Sequence, residues 1–346
     1  MGSDGLPDYT HAWVTVDKVE VSGNGSSWAT LSTTKKSVDL EALQNGHPVT
    51  LFSNVSAGAG TISYVRLTWG TVAEDASQGA NFLTDSAGSH ALAMPTQSVL
   101  DTSITISSGQ LTTGQIMISA TRAIQLRSTT SGGTTYDFQP TGDGHDLSSC
   151  ATITGTVSVG GSARSGVQVF AQTLDGSLEP SICRGAVTDS NGTFVLEALP
   201  RSSSSYYYLV AQPCETGSAY LAQFAAVMAS SSSTYTQDLA FTSATSPGAM
   251  ELTVTPVSSS SQATWVELRQ TFSNQALIVR SHPVTSATYD TVEFAGLYPG
   301  TYSVAAWRST SGGTAVKKSP KDSSTGLTVA EAVVAGSTTQ DTISYQ

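Results

Sequence analysis

RGAVTDSNGTFVLEALP, Arg184 to Pro200, followed after a serine run by YYYLVAQP, Tyr206 to Pro213, is the stretch whose reading decides the fold. Both halves alternate apolar and polar residues with period two, and turn residues stand at Asp189-Ser190-Asn191-Gly192 and at Leu199-Pro200. That pattern describes half-buried antiparallel strands joined by tight turns. The phrase recurs as TYDTVEFAGLYPGTYSVAAW, Thr288 to Trp307, and more loosely as VTLFSNVSAGAGTISYVRLTW, Val49 to Trp69. Read as β-hairpins, the three copies mark three successive β units.

Composition agrees. Only 12% of the 346 residues are charged, while 53 are Ser and 47 are Thr. Thr favours strands and Ser competes with the helix backbone for hydrogen bonds, so an all-β chain follows. The length is too great for one ordinary core. Three tandem antiparallel β-sandwich domains are expected, over residues 1–146, 147–246 and 247–346. Within the first, DYTHAWVTVDKVEV, Asp8 to Val21, is the leading strand. DLEALQNG, Asp39 to Gly46, reads as one helical turn stopped by Gly46 and plugging a sandwich end.

A formal net charge of -11 excludes nucleic acid and anionic membrane surfaces as partners, because both require a Lys/Arg footprint. No apolar run approaches the roughly 18 residues needed for a membrane span. Met1-Gly2-Ser3 reads as an expression scar in place of a natural leader, and a lipid anchor on the natural chain is compatible with that reading. The cysteines, Cys150, Cys183 and Cys214, all fall in the central third. An odd count allows one bridge at most. Cys150 with Cys183, Cys183 with Cys214, and three reduced thiols remain open.

Several short motifs, in order, resemble a bacterial family, the domain-of-unknown-function family 4382, found mainly in exported lipoproteins. They are DGLPDYTHAWVTVDKVEV, the W-A-T-L segment at Trp28, VDLEALQNG, the Ala57-Gly58 turn leading to YVRLTW, the ALAMP segment and the closing YDFQPTG. Family members carry a further strand ahead of the D-x-x-P turn, where this chain has only Met1-Gly2-Ser3 before Asp4. The resemblance implies an exported, surface-tethered protein whose first domain has an open β edge near Asp4, a place where strands of the same or another surface protein would pair. From Ala151 to Thr242, the ITGTV opening, TDSNGTFVLEALP and the Tyr strand resemble the carboxypeptidase-regulatory-like, transthyretin-like sandwich, an extracellular module without catalytic residues of its own. The third domain looks like a divergent copy of the second, and the series suggests a rod or stalk.

No constellation for catalysis emerges. The five histidines have no paired spacing, no G-x-S-x-G elbow exists, and no Cys/His series fits zinc. Asp189-Ser190-Asn191-Gly192 lacks the ligand series of a calcium loop and reads as a turn. Asp143, His145 and Asp146 form the one local cluster able to bind a metal or act as acid and base; a polar interdomain linker is the better explanation. The second domain contains no lysine, which argues against intramolecular Lys-Asn stapling. No cofactor is implied. Tyr206, Tyr207 and Tyr208 occupy both faces of one strand, so at least one faces outward, where it would stack on a sugar or pack at an edge. Trp28 and Trp69 are further candidates for a glycan surface. The expectation is a non-catalytic exported bacterial surface protein with a structural, adhesive or assembly role. The alternatives are a filament subunit assembled by strand exchange and a glycan-binding module.

Overall fold

The structure is a computed structural model that describes residues 1–3, 9–75, 79–85, 87–119, 123–130, 133–215, 217–241, 245–255, 264–284, 290–309, 315–318 and 330–344. The chain is all β, with short 3-10 turns at Leu40–Leu43 and Leu147–Ser149.

Strands between Gly2 and Asp146 form one twelve-stranded sheet. Its axis is His11–Ser22. The first half of this strand pairs with Lys36–Asp39 and Phe82–Asp85, the second with Ala29–Ser32 and Gly60–Trp69. The register against Gly60–Trp69 shifts between Val16 and Lys18. Such a bulge bends a strand and lets it serve two layers of a sheet that folds over itself. A single core running from Met1 to Phe138 fills the fold. Asp39 caps the 3-10 turn by accepting the Glu41 N–H, Leu40 and Leu43 enter the core, and Gly46 at φ 79 follows the turn, as the sequence implied. Three pairs in this sheet are parallel, Gly2–Ser3 with Gly114–Ile118 among them. Period-two alternation fixes which side chains face inward and carries no information on strand direction.

In the middle sandwich, Cys150–Val159 lies between Thr193–Pro200 and two short parallel strands, Thr234–Thr236 and Leu239–Phe241. The facing sheet runs Pro180–Val187, Gln168–Leu174, Tyr207–Ala211, Gln223–Val227. The C-terminal sandwich has the same order: Gly248–Thr255 between Asp290–Leu297 and a parallel Thr338–Ser344, faced by Gln275–Val284, Thr264–Phe272 and Gly300–Ser309, the last flanked by Ala315–Lys318 and Ala330–Val333.

The repeated phrase is therefore not a hairpin. Pro180–Val187 and Thr193–Pro200 belong to opposite sheets, as do Asp290–Leu297 and Gly300–Ser309. At the first crossing the Asp189 carboxylate accepts the N–H groups of Asn191 and Thr193, each at 2.8 Å. This Asx turn closes the corner without a ladder behind it. In the loosest copy only Gly60–Trp69 is a strand, and residues 49–59 are not.

Nor are the units strung out as a simple rod. The Ile124–Thr130 strand of the N-terminal sheet touches Gln275–Val284 of the C-terminal sandwich, which also packs on three strands of the middle one.

Candidate functional site

Polar groups concentrate where the units meet. At the first joint Asn45 adopts a left-handed backbone, φ 55, a conformation that Asn tolerates better than most residues. That posture lays its side-chain amide across two strands of the middle sandwich. Nδ2 donates to the Val187 carbonyl, and Oδ1 accepts the Val195 N–H at 3.2 Å. Gln44 Oε1 accepts the Val187 N–H at 3.3 Å. The next residue, Gly46, is close-packed: a Cβ there would stand 3.2 Å from Val195 Cγ1.

Beside it, Gln115 Nε2 donates to Glu197 Oε2 at 3.0 Å. Asp143 stands 2.8 Å from Arg184 Nη2 and 3.2 Å from His145 Nε2. Arg184 is buried and also donates to the carbonyls of Cys183, Glu197 and Ala198. Burial works against the Asp143 charge, but His145 and Arg184 outweigh it and hold the carboxyl below its ordinary range. The expected linker at this point is instead a strand, Gly142–Asp146, paired on both sides. Asp146 caps the following turn by accepting the Ser148 N–H. Among the described residues no group of three or more His, Cys, Asp or Glu is placed to hold a metal ion.

At the second joint an edge strand of one sandwich lies on a sheet face of the other. Gln172, fully buried, turns its amide to the backbone of Ile278. Oε1 accepts the Ile278 N–H at 2.9 Å and Nε2 donates to the Ile278 carbonyl at 2.7 Å. The side chain thus supplies the two bonds a neighbouring strand would have given, and the edge is satisfied at Ile278 within the chain. Phe170 and Ile182 pack on Ile278 around it. Gln212 Nε2 donates to Tyr302 Oη at 3.0 Å, and that hydroxyl donates to the Tyr298 carbonyl. Arg269 bridges the units by pairing with Glu179 of the middle sandwich and with Glu267 of its own strand.

The three tyrosines separate. Tyr207 is buried, and its hydroxyl donates to the Pro200 carbonyl at 2.7 Å. Tyr208 packs into the second joint, where its hydroxyl takes a hydrogen bond from Gln275 Nε2. Tyr206 is exposed. Trp69 is buried, and Trp28 lies 4.1 Å from the Arg66 guanidinium, which covers its ring. Cys150 and Cys183 are free thiols, and burial pushes both above the usual thiol range. The Cys214 side chain lies outside the described residues, as does Asp4.

Near that point Gly2–Ser3 forms a strand on Gly114–Ile118, so the expected open edge is partly filled by the chain itself. Met1 exchanges both backbone bonds with Val49, at 2.8 and 2.9 Å. Burial lowers its ammonium to about 6, while Glu197 pulls the other way. Only Met117 and Ile118 of the five-residue strand have partners on this side among the described residues.

Gln172, Gln212, Asn45, Arg184, Glu267 and Arg269 were not singled out from the sequence. The one available signal was a polar or charged residue inside an otherwise apolar strand, which does not say what it meets.

Residues 3–145 match the family model described as Domain of unknown function (DUF4382). No curated protein matches the chain. Among solved structures the chain is similar to the Bacillus anthracis TIE protein, at 9% identity and TM-score 0.22, over 100% of this chain and 49% of that one. It is also similar to a Streptococcal ancillary pilin, at 10% identity and TM-score 0.23, over 72% and 81% of the two chains. A third similarity is to GBS52, the minor pilin of Streptococcus agalactiae, at 14% identity and TM-score 0.17, over 56% and 94%. The chain thus spans about half the length of the first of these.

Proposed function

We propose that the chain is a non-catalytic structural segment of an exported bacterial surface protein, with adhesive or assembly duties. The observation that carries this reading is the pair of buried polar joints, which tie the units into one body. A chain built only to string modules together would have exposed linkers and wet, separable contacts. Here Gln172, Gln212, Arg184 and Arg269 are all buried between units. The repeated strand order of the two sandwiches supports the carboxypeptidase-regulatory-like reading of residues 147–246, a scaffold role rather than a chemical one.

Limited proteolysis of the folded chain tests the reading. Cleavage between the sandwiches should be slow and should release no stable separate sandwich. Rapid release of independently folded units would overturn it, as would turnover of glycoside, ester or peptide substrates that is lost on changing a single residue.

The half-filled edge at Gly114–Ile118 favours a second reading, a subunit that assembles by β-strand addition. Gly114 and Gln115 would accept an extended segment in line with Met1–Ser3, on the same parallel register. Electron microscopy and size-exclusion at high protein concentration separate the two: filaments or discrete oligomers support strand addition, and a strict monomer removes it.

A further inference from the structure

Away from both joints, the outer face of the N-terminal sheet carries a cation that is held at one end and open at the other. Val19 and Val21 enter the core, so Lys18 and Glu20 alternate to the opposite face of their strand. Arg66 stands opposite Glu20, and the exposed Val99 stands opposite Arg66. Arg66 Nε donates to Glu20 Oε2 at 2.8 Å, and Lys18 Nζ lies 3.2 Å from the same oxygen. Glu20 is buried, yet the Arg66 hydrogen bond, helped by Lys18, outweighs that burial and holds the carboxyl below its ordinary range. Two cations therefore share one negative charge. Over the Arg66 guanidinium lies the Trp28 ring, its centre 4.1 Å away.

Packing does not account for this arrangement. Trp28 takes no part in the core, and its indole N–H meets no acceptor among the described residues. Of the Arg66 nitrogens, only Nε has a protein acceptor among those residues. A ring stacked on a guanidinium screens its flat face and leaves its edge open. Glu20 fixes the Nε side of that edge. Nη1 and Nη2 are left as a planar fork of the kind that takes a carboxylate bidentately. Lys18 adds the positive charge that Glu20 does not cancel, a local surplus on a chain of net charge -11, and such a surplus draws an anion. Asp101, a row away opposite Tyr64, keeps that anion on the Lys18 side.

The kind of anion follows from the sheet. At Glu20 and Arg66 the strands are paired on both sides, so an acidic peptide finds no backbone edge to join there. Around the fork the face offers hydroxyl and amide groups instead: Thr30 opposite Glu20, and Thr68 and Gln97 in the row of Lys18. With the indole N–H and the apolar Val99, these match a sugar ring, which carries hydroxyls at its rim and C–H bonds on its faces.

We infer that this face binds an acidic saccharide, a uronate or sialate residue whose carboxylate sits on the Arg66 fork, with Glu20 and Trp28 as positioning residues. The site goes beyond the structural role proposed above and needs neither joint. Affinity electrophoresis of the full chain in native gels containing pectate, alginate or polysialate tests it, with dextran, polyglutamate and dextran sulfate as comparisons. Retardation by at least one of the first three is expected, and none by dextran. Arg66→Lys, which keeps the charge but not the fork, should weaken binding about tenfold, the loss of one hydrogen bond to a charged group. Trp28→Ala should weaken it about threefold, the loss of a cation–π contact near the surface. Tyr206→Ala should leave it unchanged. Circular dichroism establishes that each variant is folded. Absence of retardation by all three acidic polysaccharides overturns the inference, and so does equal retardation by polyglutamate or dextran sulfate. Binding that survives in folded Arg66→Lys also overturns it; should that variant not fold, Lys18→Gln at its half-exposed position decides instead, with the same loss expected.

Discussion

Gln172→Ala is expected to destabilise the chain by about 2–6 kcal/mol, the sum of two buried backbone groups left unsatisfied at about 1–3 kcal/mol each. The reason lies in geometry rather than in bond count. Gln275–Val284 is an edge strand, and Gln172 meets both the donor and the acceptor of Ile278. Phe170 and Ile182 shut the site, so water cannot replace the amide without opening the joint. Urea unfolding should show a lower midpoint, with the C-terminal sandwich melting ahead of the rest. Native-state hydrogen exchange should show the Ile278 amide losing protection before its neighbours on Thr264–Phe272. Gln172→Glu sharpens the case: it keeps an acceptor for the Ile278 N–H but sets a buried charge against the Ile278 carbonyl. It should cost at least as much as Ala. A loss below about 0.5 kcal/mol for Gln172→Ala, the level of an ordinary surface change, would show that the joint is held by apolar packing alone.

The strands were legible because burial on one face imposes alternation, and the Ser/Thr-rich composition left no helical competitor. What alternation cannot encode is the neighbour. RGAV and TFVLEALP look like the arms of a hairpin because a turn joins them, yet they pair with Gln168–Leu174 and Cys150–Val159 in different sheets. The Asx turn at Asp189 is equally at home in a hairpin apex and in a corner between sheets. The joints were illegible for a related reason. Gln172 reads as a polar residue in a strand that would face water, and it does lie on the outer face of its own sheet. Only the arrival of a second unit, more than one hundred residues later in the chain, turns that face into an interior. The Tyr206–Tyr208 run divides in the same way: Tyr207 follows the core rule, while Tyr208 is half-buried against the neighbouring sandwich.

Arg269→Met is expected to cost about 3–5 kcal/mol, as when one partner of a buried ion pair is removed. Arg269 and Glu267 are 4% and 1% exposed. Without the guanidinium, Glu267 keeps the two indole donors of Trp265 and Trp307 but loses the positive charge of Arg269 beside it, and Glu179 loses its pairing with Arg269 across the joint. The deeper expectation concerns the double variant. If the cost comes from stranding a charge, then Glu267→Gln/Arg269→Met, which removes both charges, should be more stable than Arg269→Met alone by about 1–3 kcal/mol, within the range of coupled neighbours. If the cost came instead from lost packing of the arginine stem, the two changes would add. Thermal unfolding of the two single variants, the double variant and the parent closes the cycle. Additivity within about 0.5 kcal/mol would mean that Arg269 acts through its bulk. A rescue would show that the joint depends on the pairing of charges.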